Sequence, residues 1–131
     1  MARLMITVLD ANFIIAAMDA NDTHHARVAD FLKSSTDDLR IPRLSLAEAL
    51  VAQVRAERGA EAQTAIQALG IQELADNLFS ALDLATLRAS TGLKMPDCVV
   101  LASARASQAR LATTDAKLAK AATDSGIELA L

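Results

Sequence analysis

Four carboxylates stand where this chain could do chemistry. Asp10 closes the apolar run MITVLD, Glu48 lies in SLAEAL, Asp97 in MPDCVV and Asp115 in TTDAKL. Each falls at a polar boundary beside an apolar run, which is where a parallel α/β sheet delivers its functional groups. Carboxylates gathered at one place repel one another, and a hard divalent cation with its preference for oxygen ligands relieves the repulsion. The spacing therefore predicts a metal site drawn from Asp10, Glu48, Asp97 and Asp115, with Mg²⁺ as the fitting ion and Mn²⁺ as a substitute. No rival nucleophile is visible. The chain has no Ser-His-Asp order and no P-loop, and its one cysteine, Cys98, sits in an apolar run with no histidine beside it to activate it.

Each acid also has a purely structural reading. Asp10 can cap the helix that follows its strand, and Asp115 can do the same after Thr114. Ser45-Leu46-Ala47-Glu48 has the form of a capping box, in which the glutamate reaches back to the first amide of the helix. Asp97 follows Pro96 at a helix start, where the helix dipole favours negative charge. Asn12 lies two residues after Asp10 and can orient a carboxylate or a water. A phosphohydrolase with an aspartyl nucleophile would need a second acid at that position, and Asn12 is not one. Arg43 and Lys94 each lie within five residues of a proposed ligand and are the leading candidates for phosphate contacts. His24 and His25 are adjacent, point apart on a helix, and are read as helix-start residues.

The elements that must position these groups follow from periodicity and breakers. Ile6 to Leu9 is a short, largely apolar run without alternation that suits a strand buried on both faces. Helices are expected over Ala11 to Met18 and His24 to Leu32, the second capped by Asp22 or Thr23. Ser34 to Asp38 reads as a loop, and Leu39 to Ile41 as a strand ended by Pro42. A helix from Ser45 to about Arg58 and another from Ala60 to Leu69, closed by Gly70, form a pair. Ile71 to Leu74 is a short strand. Helices follow over Ser80 to Ser90 and from Pro96 to about Ser107. Leu111 to Thr113 is a strand, Ala116 to Thr123 a helix, and Ile127 to Leu131 a last strand. Strand and helix in alternation predict a three-layer α/β domain, a mainly parallel central sheet flanked by helices.

At 131 residues and 53% hydrophobic content the chain fits one domain with a full core. A lone cysteine excludes an internal disulfide and suits a reducing cytoplasm. The opening MARLMITVLDANF lacks the cleavage architecture of a signal peptide, and no segment has the ~20 apolar residues needed to cross a bilayer. The net charge of −3 does not exclude a polyanionic substrate, because the four proposed site acids more than account for it. With 2% aromatic residues, base stacking is a poor means of recognition, and Arg and Lys must carry any contact with nucleic acid.

Taken in order, VLDANFIIA, IPRLSLAEAL, TGLKMPDCVVLASA and ATTDAKLAK resemble the successive motifs of a PIN domain, most closely those of the VapC-type toxin ribonucleases of bacterial toxin-antitoxin pairs. The resemblance runs from about Ile6 to Leu131, essentially the whole chain, and implies a single domain over 1–131. It implies a metal-dependent endoribonuclease, with Asp10, Asp97 and Asp115 on the primary ion and Glu48 on a water or second ion. It further implies that Thr114 bonds a phosphate or a ligand carboxylate. The partners it implies are RNA, a VapB-like cognate antitoxin that blocks the cleft, and a second copy through the 45–69 helix pair, within a larger toxin-antitoxin assembly. A PIN-fold module that binds RNA or protein without cutting it, and the small aspartyl phosphohydrolase, are the alternatives.

Overall fold

The apolar runs form the sheet. In a computed structural model describing residues 5–131, four parallel strands, β1 (Ile6–Leu9), β2 (Asp38–Pro42), β3 (Gln72–Leu74) and β4 (Arg110–Ala112), lie in the order β3-β2-β1-β4. Residues 1–4, the start of the segment read above as lacking a leader, lie outside the described residues. Among the described residues there are seven helices: α1 (Ala11–Met18), α2 (His25–Ser34), α3 (Arg43–Arg55), α4 (Gly59–Ala68), α5 (Ala81–Thr91), α6 (Met95–Ala106) and α7 (Ala116–Asp124).

Side chains alternate across each strand, so neighbouring residues feed opposite cores. Val8 and Leu111 join Leu87, Leu101, Leu118 and Ala122, the layer of α5, α6 and α7. Leu9, Leu39, Ile41 and Ala112 join Phe13, Ile14, Val28, Leu46 and Ile66, the layer of α1 to α4. β1 at the centre is covered on both faces and buried nearly throughout, whereas β2 alternates, with Asp38 and Arg40 half-buried between buried Leu39 and Ile41. The three-layer α/β expectation is met.

Several boundaries differ from expectation for identifiable reasons. α3 starts at Arg43, directly after Pro42, so Ser45 is already inside the helix and forms no cap. The capping box of this chain is instead Ser80 with Asp83, whose side chain accepts from the Ser80 amide at 2.9 Å. α2 begins at His25 without a side-chain cap, because the Asp22 carboxylate accepts from the His24 amide at 2.8 Å and closes the preceding turn. α3 ends where Glu57 takes a positive φ of 60°, two residues before the glycine expected to stop it. The last strand reduces to one bridge, Leu111 with Leu129. β4 has three residues, and Leu111 spends both its backbone groups on this segment, accepting from Ala130 and donating to Glu128.

β1 pairs on one side with β2 and on the other with β4, so the chain winds outward to β3 and then returns across β1. The gap between the carboxyl ends of β1 and β4 is thus the topological switch point, where open α/β sheets bind their ligands.

Candidate metal centre

The cleft at the strand tips, about 200 Å³, is lined by Asp10, Asn12, Ser45, Glu48, Lys94, Asp97 and Asp115, with Ala11, Pro96 and Val100 between them. The four acids arrive from four elements. Asp10 leaves the end of β1, Asp115 follows β4 by three residues, Glu48 is carried on α3 and Asp97 on α6. α3 belongs to one helical layer and α6 to the other, so the cleft straddles the sheet.

Asp10 is 3% exposed, a cost that a carboxylate accepts only when it is hydrogen-bonded. Its Oδ1 accepts from the Phe13 amide at 2.9 Å, capping α1, and its Oδ2 accepts from the Thr113 hydroxyl. Burial nonetheless outweighs these two bonds, and with Asp97 and Asp115 nearby pushes its pKa from 3.8 to about 6. Asp97 is raised too, by burial first and Asp115 second, against a smaller opposing pull from Lys94 and Lys117. Glu48 is raised by burial and by Asp97. Asp115 caps α7, its Oδ1 accepting from the amides of Lys117 and Leu118 at 2.9 and 3.2 Å. Capping and cleft membership are therefore compatible for Asp10 and Asp115: one face of each carboxylate is held by amides while the residue still lines the cleft. For Glu48 the capping alternative fails, because Pro42, not Ser45, occupies the N-cap.

Among the supporting residues, Asn12 and Lys94 are exposed at the cleft rim. Arg43 does not reach it. Five residues before Glu48 on the same helix, it points about 140° away, and its Nε lies 3.2 Å from Glu73 across β3. Thr114 lies outside the cleft lining, and the threonine that engages an acid is Thr113. Buried at 2%, Thr113 donates to Asp10 and accepts from the Asp115 amide at 3.0 Å, tying the tip of β1 to the tip of β4. Its signal in the sequence is a polar residue closing a buried apolar strand. Lys117 carries no distinguishing signal in the sequence, and the structure sets it where its charge acts on Asp97.

The remaining reactive side chains have structural partners. His25 Nδ1 donates to the Ala16 carbonyl at 2.8 Å, and buried Cys98 directs its thiol to the Leu93 carbonyl at 3.6 Å. Burial pushes the Cys98 pKa up, away from a thiolate.

Among the described residues, no three His, Cys, Asp or Glu side chains stand close enough together to hold one ion. An open set of carboxylates suits a small hard cation, which keeps several of its waters and takes one or two carboxylates together with substrate phosphate. The donor set is all oxygen, and three of its four members have raised pKa values that a nearby positive charge would relieve.

An acidic cleft at the switch point of a parallel three-layer sheet defines the class. The chain belongs to the PIN domain family, whose model matches residues 7–124. No curated protein matches it in sequence. Among solved structures the fold is shared with a toxin-antitoxin complex from Klebsiella pneumoniae, at a TM-score of 0.71 and 18% identity over 83% of this chain and 86% of that one. VapC20 of Mycobacterium tuberculosis, a sarcin-ricin loop cleaving toxin, gives 0.70 at 14% identity over 88% and 94%. VapBC-1 of nontypeable Haemophilus influenzae gives 0.68 at 23% identity over 95% and 96%. These likenesses are of fold.

Proposed function

We propose that this protein is a VapC-like toxin ribonuclease that hydrolyses RNA phosphodiesters with the help of a divalent cation, Mg²⁺ or Mn²⁺. The observation that carries this reading is the convergence of Asp10, Glu48, Asp97 and Asp115 from four elements on one cleft that offers no side-chain nucleophile. Such an ion, when bound, polarises a phosphate oxygen and lowers the pKa of water.

The chain's own part is positioning. Asp10, Asp97 and Asp115 hold the cation, the first and last already fixed by the amides they cap. Glu48, exposed and unencumbered by a cap, receives the proton of the attacking water. Lys94 and Asn12 at the rim meet the phosphate and keep the scissile group in line. Cleavage leaves a 5′-phosphate and a 3′-hydroxyl. Membership of the PIN family and the resemblance of the fold to toxin-antitoxin structures support a VapB-like antitoxin as the restraining partner. Exposed Leu44, Val51, Val54 and Leu69 on and beside the α3–α4 pair support a homodimer, the core of a larger assembly. No helix among the described residues is long and apolar enough to cross a membrane, and with one buried free cysteine this supports work in the cytoplasm.

The purified chain should cut RNA with Mg²⁺ or Mn²⁺ and lose all cutting in EDTA. Undiminished cleavage in chelator would refute the metal mechanism. Absence of cleavage with every ion, by a folded protein that still binds RNA, would favour the non-cutting module instead.

A further inference from the structure

Ser45 precedes Glu48 by three residues on α3, so the two side chains share the helix face that lines the acidic cleft. Ser45 is 1% exposed, and its enclosed Oγ has no hydrogen-bond partner among the described residues. Native proteins leave few buried hydroxyls in this condition, because the lost hydration is not repaid. Neither common use of a helical serine applies. Pro42 holds the N-cap position, and the hydroxyl makes no bond to a carbonyl of the preceding turn.

Glu48 is its counterpart. Asp10 is fixed by Phe13 and Thr113, and Asp115 by the first amides of α7. The Glu48 carboxyl feels burial and the charge of Asp97, with no hydrogen bond to steady it. It also has the longest and most flexible side chain of the four. A proton acceptor works only when held within about 2.6–3.2 Å of the proton it takes. A donor lacking an acceptor thus lies one turn from an acceptor lacking a donor, on the same wall of the same cleft.

We propose that Ser45 is the positioning residue of Glu48: its hydroxyl donates to the Glu48 carboxylate and draws that side chain inward when an RNA phosphodiester occupies the cleft. This rests on the ribonuclease reading above. The bond satisfies the orphaned hydroxyl and fixes one of the two cleft acids, Glu48 and Asp97, that have no hydrogen bond among the described residues. It is a contact of the substrate-bound cleft, made when Glu48 turns inward from its exposed position.

The test compares the full chain with Ser45→Ala, Ser45→Thr, Glu48→Gln and the Ser45→Ala/Glu48→Gln double variant. Ser45→Ala should lower kcat for RNA by about ten-fold with KM unchanged, and Ser45→Thr, which keeps a hydroxyl, should recover most of it. In the double variant Ser45→Ala should cost nothing further, since the group it positions is already disabled. In chelator, Ser45→Ala should bind RNA as well as the wild type and melt at the same temperature or higher, because it removes an unpaired buried hydroxyl. A lowered melting temperature, a loss that multiplies in the double variant, or an unchanged kcat beside a disabled Glu48→Gln would overturn the assignment of Ser45 alone. If Glu48→Gln itself cleaves normally, the role given to Glu48 falls and this proposal falls with it.

Discussion

Removing the charge of Asp10 should stabilise the protein in the absence of metal. The Asp10 pKa rises from 3.8 to about 6 on folding, so the folded chain favours the protonated carboxyl over the ionised one. Near neutral pH the shift of roughly two units corresponds to about 3 kcal/mol of strain at 1.36 kcal/mol per unit. Asp10→Asn keeps an oxygen for the Phe13 amide but turns a donor toward Thr113, whose hydroxyl must then accept from it as well as from the Asp115 amide. Allowing about 1–2 kcal/mol for that imperfect bond leaves a gain of about 1–2 kcal/mol. The sign fixes the pH dependence. A raised carboxyl favours folding below its unfolded pKa, and the benefit is lost as pH rises from about 4 through about 6. The advantage of the variant should therefore be greatest above about pH 6 and should disappear or reverse below about pH 4. Urea unfolding in chelator across this range measures it. A variant less stable than the wild type at neutral pH, or a difference constant with pH, would show that Asp10 is a structural cap and not a strained member of a charged cluster. Added Mg²⁺ should narrow the gap, because the cation stabilises only the protein that retains the full acid set.

Thr113→Val should cost about 2–3 kcal/mol of stability by leaving Asp10 and the Asp115 amide without their shared partner, read from the shift in urea midpoint; a neutral effect would deny that Thr113 links the two strand tips. Glu48→Gln should abolish RNA cleavage with a melting temperature within a degree or so of the wild type, since no cap depends on it; a clear destabilisation would restore the capping role. Ser80→Ala should lower stability by about 1 kcal/mol through loss of the capping box on α5 and leave RNA cleavage unaffected, as an activity assay beside the melt would show. A partner that seats an arginine among the four acids should bind in competition with Mg²⁺, because a guanidinium and the cation seek the same carboxylates. Calorimetry at low and high Mg²⁺ checks this, and an affinity independent of the ion would place inhibition elsewhere.

What could be read from the sequence and what could not divide along physical lines. The strands at Ile6 and Leu111 and the acids beyond their ends are legible because a buried parallel strand has no use for a charge, so the first charge after the apolar run lies at or just past the tip. Glu48 was ambiguous because S-x-x-E signals a capping box only if the helix begins at the serine, and the start at Arg43 is decided by where Pro42 leaves β2. The choice between Thr113 and Thr114 depends on which one turns inward at the end of β4, a matter of register with β1 that no local pattern carries. Arg43 looked close to the cleft by chain distance, but five residues along a helix is most of half a turn away from the intended face. The final strand was over-read because its apolar run is real while the strand it meets offers only Leu111 to pair with.

The bond between Thr113 and Asp10 spans 103 residues of chain. β1 is made well before its neighbour β4, with β2, β3 and six helices between them, so the central strand waits, half paired, while those segments are made. A growing chain can assemble β1, β2 and the helices between them without ever bringing Asp115 near Asp10. The cleft therefore comes into being in one late event, together with the final strand pairing, and any fragment or partly folded chain that lacks β4 carries the acids without the arrangement. Whatever chemistry the four acids support is therefore withheld until β4 has paired with β1.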